Sequence, residues 1–135
     1  MPLVVDTGVL YALSDRRDAW HLRCREMVTS AREILLAPVT VLPEICYLLS
    51  ARLGTSFEQR FLDSVVAGEV RIDHLQSADF KRAREWLQQY PDLGLVDATV
   101  AAVAERLKQT RIATTDRRHF GPLRPRHRPH FDLVP

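Results

Sequence analysis

Leu3-Val4-Val5-Asp6-Thr7-Gly8 is the stretch whose reading decides the fold. Three apolar residues run into a carboxylate, and a polar turn follows at once. A short apolar run bounded in this way predicts a strand buried on both faces of a parallel sheet. Asp6 then stands at the C-terminal end of that strand, the edge where open α/β sheets collect their ligands. Behind Thr7, residues 9–13 read as a short helix, so the chain turns from strand to helix around the carboxylate.

The alternation repeats downstream. Asp18 is a candidate cap for a helix reaching about Ser30, and residues 34–37 predict a second buried strand ended by Pro38. Thr40 is the expected cap of a helix to about Leu53. Pro43 is tolerated in its first turn, where the backbone N–H has no intrahelical partner. Gly54 stops that helix, and Thr55 or Ser56 caps the next, with Phe57, Phe61, Leu62, Val65 and Val66 as its apolar stripe. Residues 69–72 alternate and predict a strand with one exposed face. Ser77 caps a helix to about Tyr90, with Phe80, Ala83, Trp86 and Leu87 on one side. Residues 95–108 give the clearest helix, because Val96, Val100, Val103, Ala104 and Leu107 recur at helical spacing. A strand over residues 111–115 runs to Asp116. Pro122, Pro125 and Pro129 make residues 117–129 irregular, and residues 131–134 close the sheet as a short edge strand. Strands alternating with helices predict parallel βαβ units with right-handed crossovers. The expected fold is therefore α/β, a three-layer α/β/α sandwich around a mostly parallel sheet, in a single domain over residues 1–135.

Composition excludes several classes. A chain with 46% hydrophobic and 27% charged residues is not a disordered segment. No stretch approaches the ~20 apolar residues that span a bilayer, and the N-terminus lacks the basic start of a signal peptide. Cys24 and Cys46 form neither a disulfide framework nor a zinc spacing, which points to a reduced, cytoplasmic setting. The net charge of +2 hides an asymmetry: residues 1–116 carry 14 Lys+Arg against 16 Asp+Glu, and residues 117–135 carry 5 against 1. A basic tail beside an acidic body suggests a polyanionic partner. Arg117 and Arg118, with Arg16, Arg17, Arg124, Arg126 and Arg128, are the candidates for phosphate contacts; the plain alternative is a solvated basic face. His119, His127 and His130 match no familiar metal-ligand spacing and read as part of a solvated loop. Trp20 and Trp86 lie on helix stripes and read as core rather than as base-stacking platforms.

Four carboxylates carry the chemistry. Asp6 and Asp116 both follow strands directly, on one edge of a parallel sheet. Glu44 and Asp97 lie in the first turns of helices, which can face that same edge. Each has an ordinary explanation when taken singly, as a turn residue, a cap or a first-turn acid favoured by the helix dipole. If they converge, each like-charge pair at ~5 Å and an effective dielectric near 20 repels by ~3 kcal/mol. Either some acids stay protonated, or a divalent cation neutralises them. Hard carboxylate oxygens suit Mg²⁺ or Mn²⁺, and helix N-termini favour an anionic substrate group. Together these are the requirements of phosphodiester hydrolysis, in which the metal lowers the pKa of bound water and screens the charge developing on phosphorus. No phosphate-cradling GxxxxGK[ST] loop and no GxGxxG motif is present.

Four stretches together resemble the PIN domain, in particular the VapC-type toxin ribonucleases: residues 4–13, residues 41–44 (Val-Leu-Pro-Glu), residues 95–104 and residues 113–120 (Ala-Thr-Thr-Asp-Arg-Arg-His-Phe). They occur in the family's order and span nearly the whole chain. The resemblance implies a sheet with helices on both faces and an acidic pocket holding Mg²⁺ or Mn²⁺. It carries the acidic roles onto Asp6, Glu44, Asp97 and Asp116, makes Asp6 and Asp97 the principal metal ligands, and matches Thr114 to a hydroxyl residue lining the pocket. It further implies endonucleolytic cleavage of RNA, a homodimer, and inhibition by a cognate VapB-like antitoxin.

Two other classes compete. A phosphotransferase or phosphatase of the aspartate-at-strand-end type needs a second acid two residues on, where this chain has Gly8. A receiver-type variant wants a late lysine, and Lys108 lies inside a helix. A non-catalytic PIN-like binding subunit would have no need of all four acids.

Overall fold

A computed structural model describes residues 2–135. Five short strands form the central sheet: β1 (Leu3–Val5), β2 (Leu35–Pro38), β3 (Val70–Asp73), β4 (Arg111–Ala113) and β5 (Asp132–Val134). Their order is β3-β2-β1-β4-β5, and every pairing is parallel. Leu3 pairs with Leu35 on one side of β1, and Val5 with Ala113 on the other. The α/β expectation holds, with a wholly parallel sheet.

Among the described residues seven helices connect the strands: α1 (Thr7–Ser14), α2 (His21–Ala31), α3 (Val41–Leu53), α4 (Thr55–Val66), α5 (Ser77–Gln89), α6 (Leu95–Arg106) and α7 (Arg117–Phe120). Steps from β1 to β2 and from β2 to β3 go one way along the sheet. The steps to β4 and β5 go the other way. Right-handed crossovers then place α1–α4 on one face and α5–α7 on the opposite face. The packing agrees: α1 touches α2 and α3, and α3 touches α4, whereas α5 and α7 pack on α6, which itself covers β1, β2 and β4.

The reversal of direction falls between β1 and β4. In open α/β sheets such a switch point leaves a crevice outside the strand ends. Leu3, Val4 and Val5 are fully buried between the layers. The alanine-rich flank of α6 is buried from Ala98 to Ala104, so its backbone rides close to the sheet.

Several local expectations are corrected. Pro38 does not end β2 but forms its last residue, opposite Asp73, and Val39 supplies the next amide to Asp73 O. The lost proline N–H is thereby harmless. β1 stops at Val5 and β4 at Ala113. Asp18 does not cap α2; its carboxylate accepts from Trp20 N in a turn one step earlier. Thr40, at the start of α3, caps nothing, because its hydroxyl meets Thr99 Oγ1 at 2.5 Å. Gly54, with φ of 104°, is both the end of α3 and the start of α4, so neither Thr55 nor Ser56 caps. The cap of α5 is Gln76, in a reciprocal box with Asp79, rather than Ser77. Leu62, Val66 and Phe80, assigned to apolar stripes, are exposed. The stretch after Asp116 is not wholly irregular, since it begins with α7.

Trp86 is core, and Trp20 is half-buried under the Arg23 guanidinium. Both cysteines are free thiols. Among the described residues no helix is long and apolar enough to cross a membrane.

Candidate active site

Asp6 leaves β1 at the switch point and caps α1. Its Oδ1 accepts from Thr7 N at 2.7 Å, and its Oδ2 accepts from the Thr114 hydroxyl at 3.1 Å. Thr114 follows β4 directly and is fully buried. Its oxygen accepts in turn from Asp116 N at 2.9 Å, so one hydroxyl links the acids at the ends of β1 and β4. Gly8 lets the two turns come together: a Cβ there would collide with the Thr115 hydroxyl.

Asp97 arrives from the other layer, in the first turn of α6, after Gly94 turns the chain at φ of 84°. Asp116 caps α7, accepting from His119 N at 3.0 Å. Glu44 is exposed in the first turn of α3. The Thr40–Thr99 hydrogen bond ties the starts of α3 and α6 together across the crevice. Thr99 donates its own proton to Val96 O at 2.8 Å, which makes Thr40 the donor in that pair.

The electrostatics follow from this placement. Burial raises the Asp6 carboxyl from 3.8 to about 6, against the bonds from Thr7 and Thr114, and the charges of Glu44 and Asp116 add to the rise. Burial lifts Asp97 from 3.8 to about 7; Asp6, Asp116 and Glu44 push the same way, and His119 opposes them. Glu44 and Asp116 thus act on both Asp6 and Asp97, and Asp6 acts on Asp97. Among the described residues no Lys or Arg pairs with any of them; the partner of Asp97 and Asp116 is His119.

Such a site is short of positive charge and rich in hard oxygen donors, which is the chemistry of a Mg²⁺ or Mn²⁺ site. Asp97, Asp116 and His119 can each offer one ligand atom, all within 4.8 Å of one another. Asp6 offers the Oδ lone pairs left free by its two hydrogen bonds. The residues fit a divalent cation.

The reading of His119 as a solvated loop residue is overturned. Its Nδ1 lies 2.6 Å from Asp116 Oδ2 and 3.6 Å from Asp97 Oδ2. A sequence signal existed. Asp116 and His119 are three residues apart, and one helical turn folds such a pair back on itself. His127 packs against the Phe131 ring and meets Gln109 O at 2.7 Å through Nε2, and His130 is exposed; neither joins the acids.

The arginines divide. Arg118 lines a groove of 260 Å³ with His119, Tyr90 and Gln89, beside the acids. Arg117 is exposed, and its guanidinium donates to Pro135 O. Arg16 and Arg17 line a different cleft with Arg52 and Arg60, next to α1 and α4. Arg124 folds onto Gly121 O and Leu123 O, Arg126 pairs with Glu85, and Arg128 pairs with Asp132. Much of the basic tail is thus engaged within the chain rather than forming a free phosphate-binding face.

Comparison with known proteins adds four matches. A family model described as the PIN domain matches residues 3–121. Ribonuclease VapC26 of Mycobacterium tuberculosis is 29% identical over 135 residues, covering 98% of this chain and 100% of that one. Among solved structures, VapC20 of M. tuberculosis, described as a sarcin-ricin loop cleaving toxin, superposes with a TM-score of 0.79 at 24% identity, over 87% of this chain and 92% of that one. A toxin–antitoxin complex from Klebsiella pneumoniae gives 0.73 at 18% identity, over 98% and 96%.

Proposed function

The chain belongs to the PIN-domain family, and on that premise we propose that it is a Mg²⁺- or Mn²⁺-dependent endoribonuclease acting as the toxin of a VapBC-type toxin–antitoxin pair. The observation that carries the proposal is geometric: Thr114 links Asp6 to Asp116 by hydrogen bonds, and Asp97 and Asp116 bring ligand atoms within 4.8 Å of each other, with the charge of Glu44 felt at Asp6 and Asp97. A divalent cation supplies what that cluster lacks: it neutralises the acids, acidifies water and screens charge developing on phosphorus.

The roles follow from the surroundings. Asp6, fixed by Thr7 N and the Thr114 hydroxyl, and Asp97, presented by the start of α6, hold the cation. Thr114 keeps Asp6 in place and couples it to the Asp116 backbone. Glu44, exposed at the mouth, and Asp116 orient the attacking water and accept its proton. Water attacks phosphorus in line and the 3′-oxygen leaves, giving 5′-phosphate and 3′-hydroxyl ends. Arg118 and Arg117, at the start of α7 beside the acids, meet the phosphates on either side of the cut. Residues 1–135 act as one unit, as a cytoplasmic homodimer restrained by a VapB-like antitoxin; the likeness to a ribonuclease and to a toxin–antitoxin complex supports the antitoxin partner.

The test is cleavage of a labelled RNA. Wild type with Mn²⁺ or Mg²⁺ should produce 5′-phosphate ends, and Asp6→Asn should be inactive. Equal cleavage by the two proteins, or cyclic phosphate products that persist in chelator, rejects the proposal.

A further inference from the structure

The four acids do not use all the donors that face the crevice. His119 brings a nitrogen atom into the same cluster, and none of the roles assigned above includes it. Its Nδ1 is 2.6 Å from Asp116 Oδ2 and 3.6 Å from Asp97 Oδ2, while its backbone N–H holds the other oxygen of Asp116 at 3.0 Å. The ring is therefore aimed between the two carboxylates, and the tight turn of α7 keeps it there. Phe120, fully buried, anchors that turn next to His119, and α7 packs directly on α6, which carries Asp97. The side chain is about a third exposed, so solvent and ions reach it.

We infer that His119 is a direct ligand, through Nδ1, of the divalent cation held by Asp6 and Asp97, on the side of the site that Asp116 lines, and that it biases this site toward Mn²⁺ over Mg²⁺. The inference rests on the metal-dependent reading proposed above and specifies its inner sphere. Nδ1 is the ring atom that faces the two carboxylates, so a cation seated between them meets the imidazole at that nitrogen. A purely carboxylate site treats Mg²⁺ and Mn²⁺ as hard ions of similar need. One imidazole shifts the balance toward the transition metal, because Mg²⁺ keeps oxygen ligands and water whereas nitrogen suits first-row metals. The backbone bond from His119 N to Asp116 remains in either state, so ring and carboxylate move as a unit.

The experiment is pulsed electron paramagnetic resonance on the full-length protein loaded with Mn²⁺ alone. Wild type should show a nitrogen hyperfine coupling to the bound ion, and isotopic labelling of histidine should change its frequency. His119→Gln should bind Mn²⁺ without that coupling and with about tenfold lower affinity, with a smaller loss for Mg²⁺. His130→Gln, altered at the opposite edge of the sheet, should keep the coupling. Bound Mn²⁺ with no nitrogen coupling in wild type, or a coupling that survives His119→Gln, overturns the assignment of His119 and leaves the nuclease reading standing. Failure of wild type to bind Mn²⁺ at all overturns both. Isotopic labelling needs no variant, so the outcome does not depend on how well His119→Gln folds.

Discussion

Replacing Asp6 by Asn should make the cation-free protein more stable while abolishing its function. Asp6 is 5% exposed, and burial lifts its carboxyl from 3.8 to about 6. The folded chain therefore binds the Asp6 proton more tightly than the unfolded chain does. Below the unfolded value the acid is neutral in both states and costs nothing. As pH rises through about 6 it is ionised in the fold, and stability is lost; above that pH the penalty is constant. A rise of roughly two pH units at ~1.36 kcal/mol each amounts to ~3 kcal/mol. Asn keeps the acceptor for Thr7 N but cannot accept the Thr114 proton on its amide nitrogen, which returns ~1 kcal/mol. A net gain of ~2 kcal/mol should raise the melting temperature by about 5–10 °C. The assay is thermal unfolding in chelator at pH 8 and at pH 4. Asn should be the more stable at pH 8, and the gain should vanish or reverse at pH 4. Saturating Mn²⁺ should restore the wild type, by ~2.7 kcal/mol at a hundredfold excess over the dissociation constant. An Asp6→Asn protein that melts at or below the wild type at pH 8 in chelator would refute the reasoning.

Other consequences can be checked with the same protein. Calorimetric Mn²⁺ affinity should rise steeply from pH 5.5 to pH 8, because protons leave Asp6 near 6 and Asp97 near 7; a flat profile would contradict this. Thr114→Val keeps the shape but removes the donor to Asp6 and orphans Asp116 N. It should cost ~1–3 kcal/mol in urea unfolding and weaken Mn²⁺ binding at neutral pH. Arg106→Met should cost ~3 kcal/mol, because the guanidinium pairs with Asp79, which is 2% exposed, and with Asp73. RNA cleavage well below the melting point should survive that change, since Arg106 sits at the far end of α6 from Asp97.

The parallel sheet was legible because apolar runs such as residues 3–5 and 35–37 end at polar turns, and that pattern belongs to doubly covered strands. The placement of Asp6 and Asp116 followed from it, since residues after parallel strands share one edge. Glu44 and Asp97 were harder. The loop ending at Gly94 and the Thr40–Thr99 bond help to bring the starts of α3 and α6 to the crevice, and tertiary contacts of that kind leave no periodic trace. Caps were misread for the same reason: Thr40 had the right chemistry but a distant partner. The exposure of Leu62, Val66 and Phe80 escaped notice because helical spacing marks a face without telling whether anything covers it. The spacing among the histidines carries no signal for His119; the acid and the histidine one turn apart, Asp116 and His119, do. The arginine tail was read as a charge count, and charge counts ignore the carboxylates and carbonyls that take up Arg124, Arg126 and Arg128.

Asp97→Asn puts the central claim to its most direct trial, in a single-turnover assay of labelled RNA with Mn²⁺, alongside wild type with and without chelator. Wild type should cut only while the cation is present, and the variant, folded and at least as stable, should not cut. Cleavage by wild type in chelator, or by Asp97→Asn at the wild-type rate, would mean that the acids gathered at the switch point are not the machinery of hydrolysis.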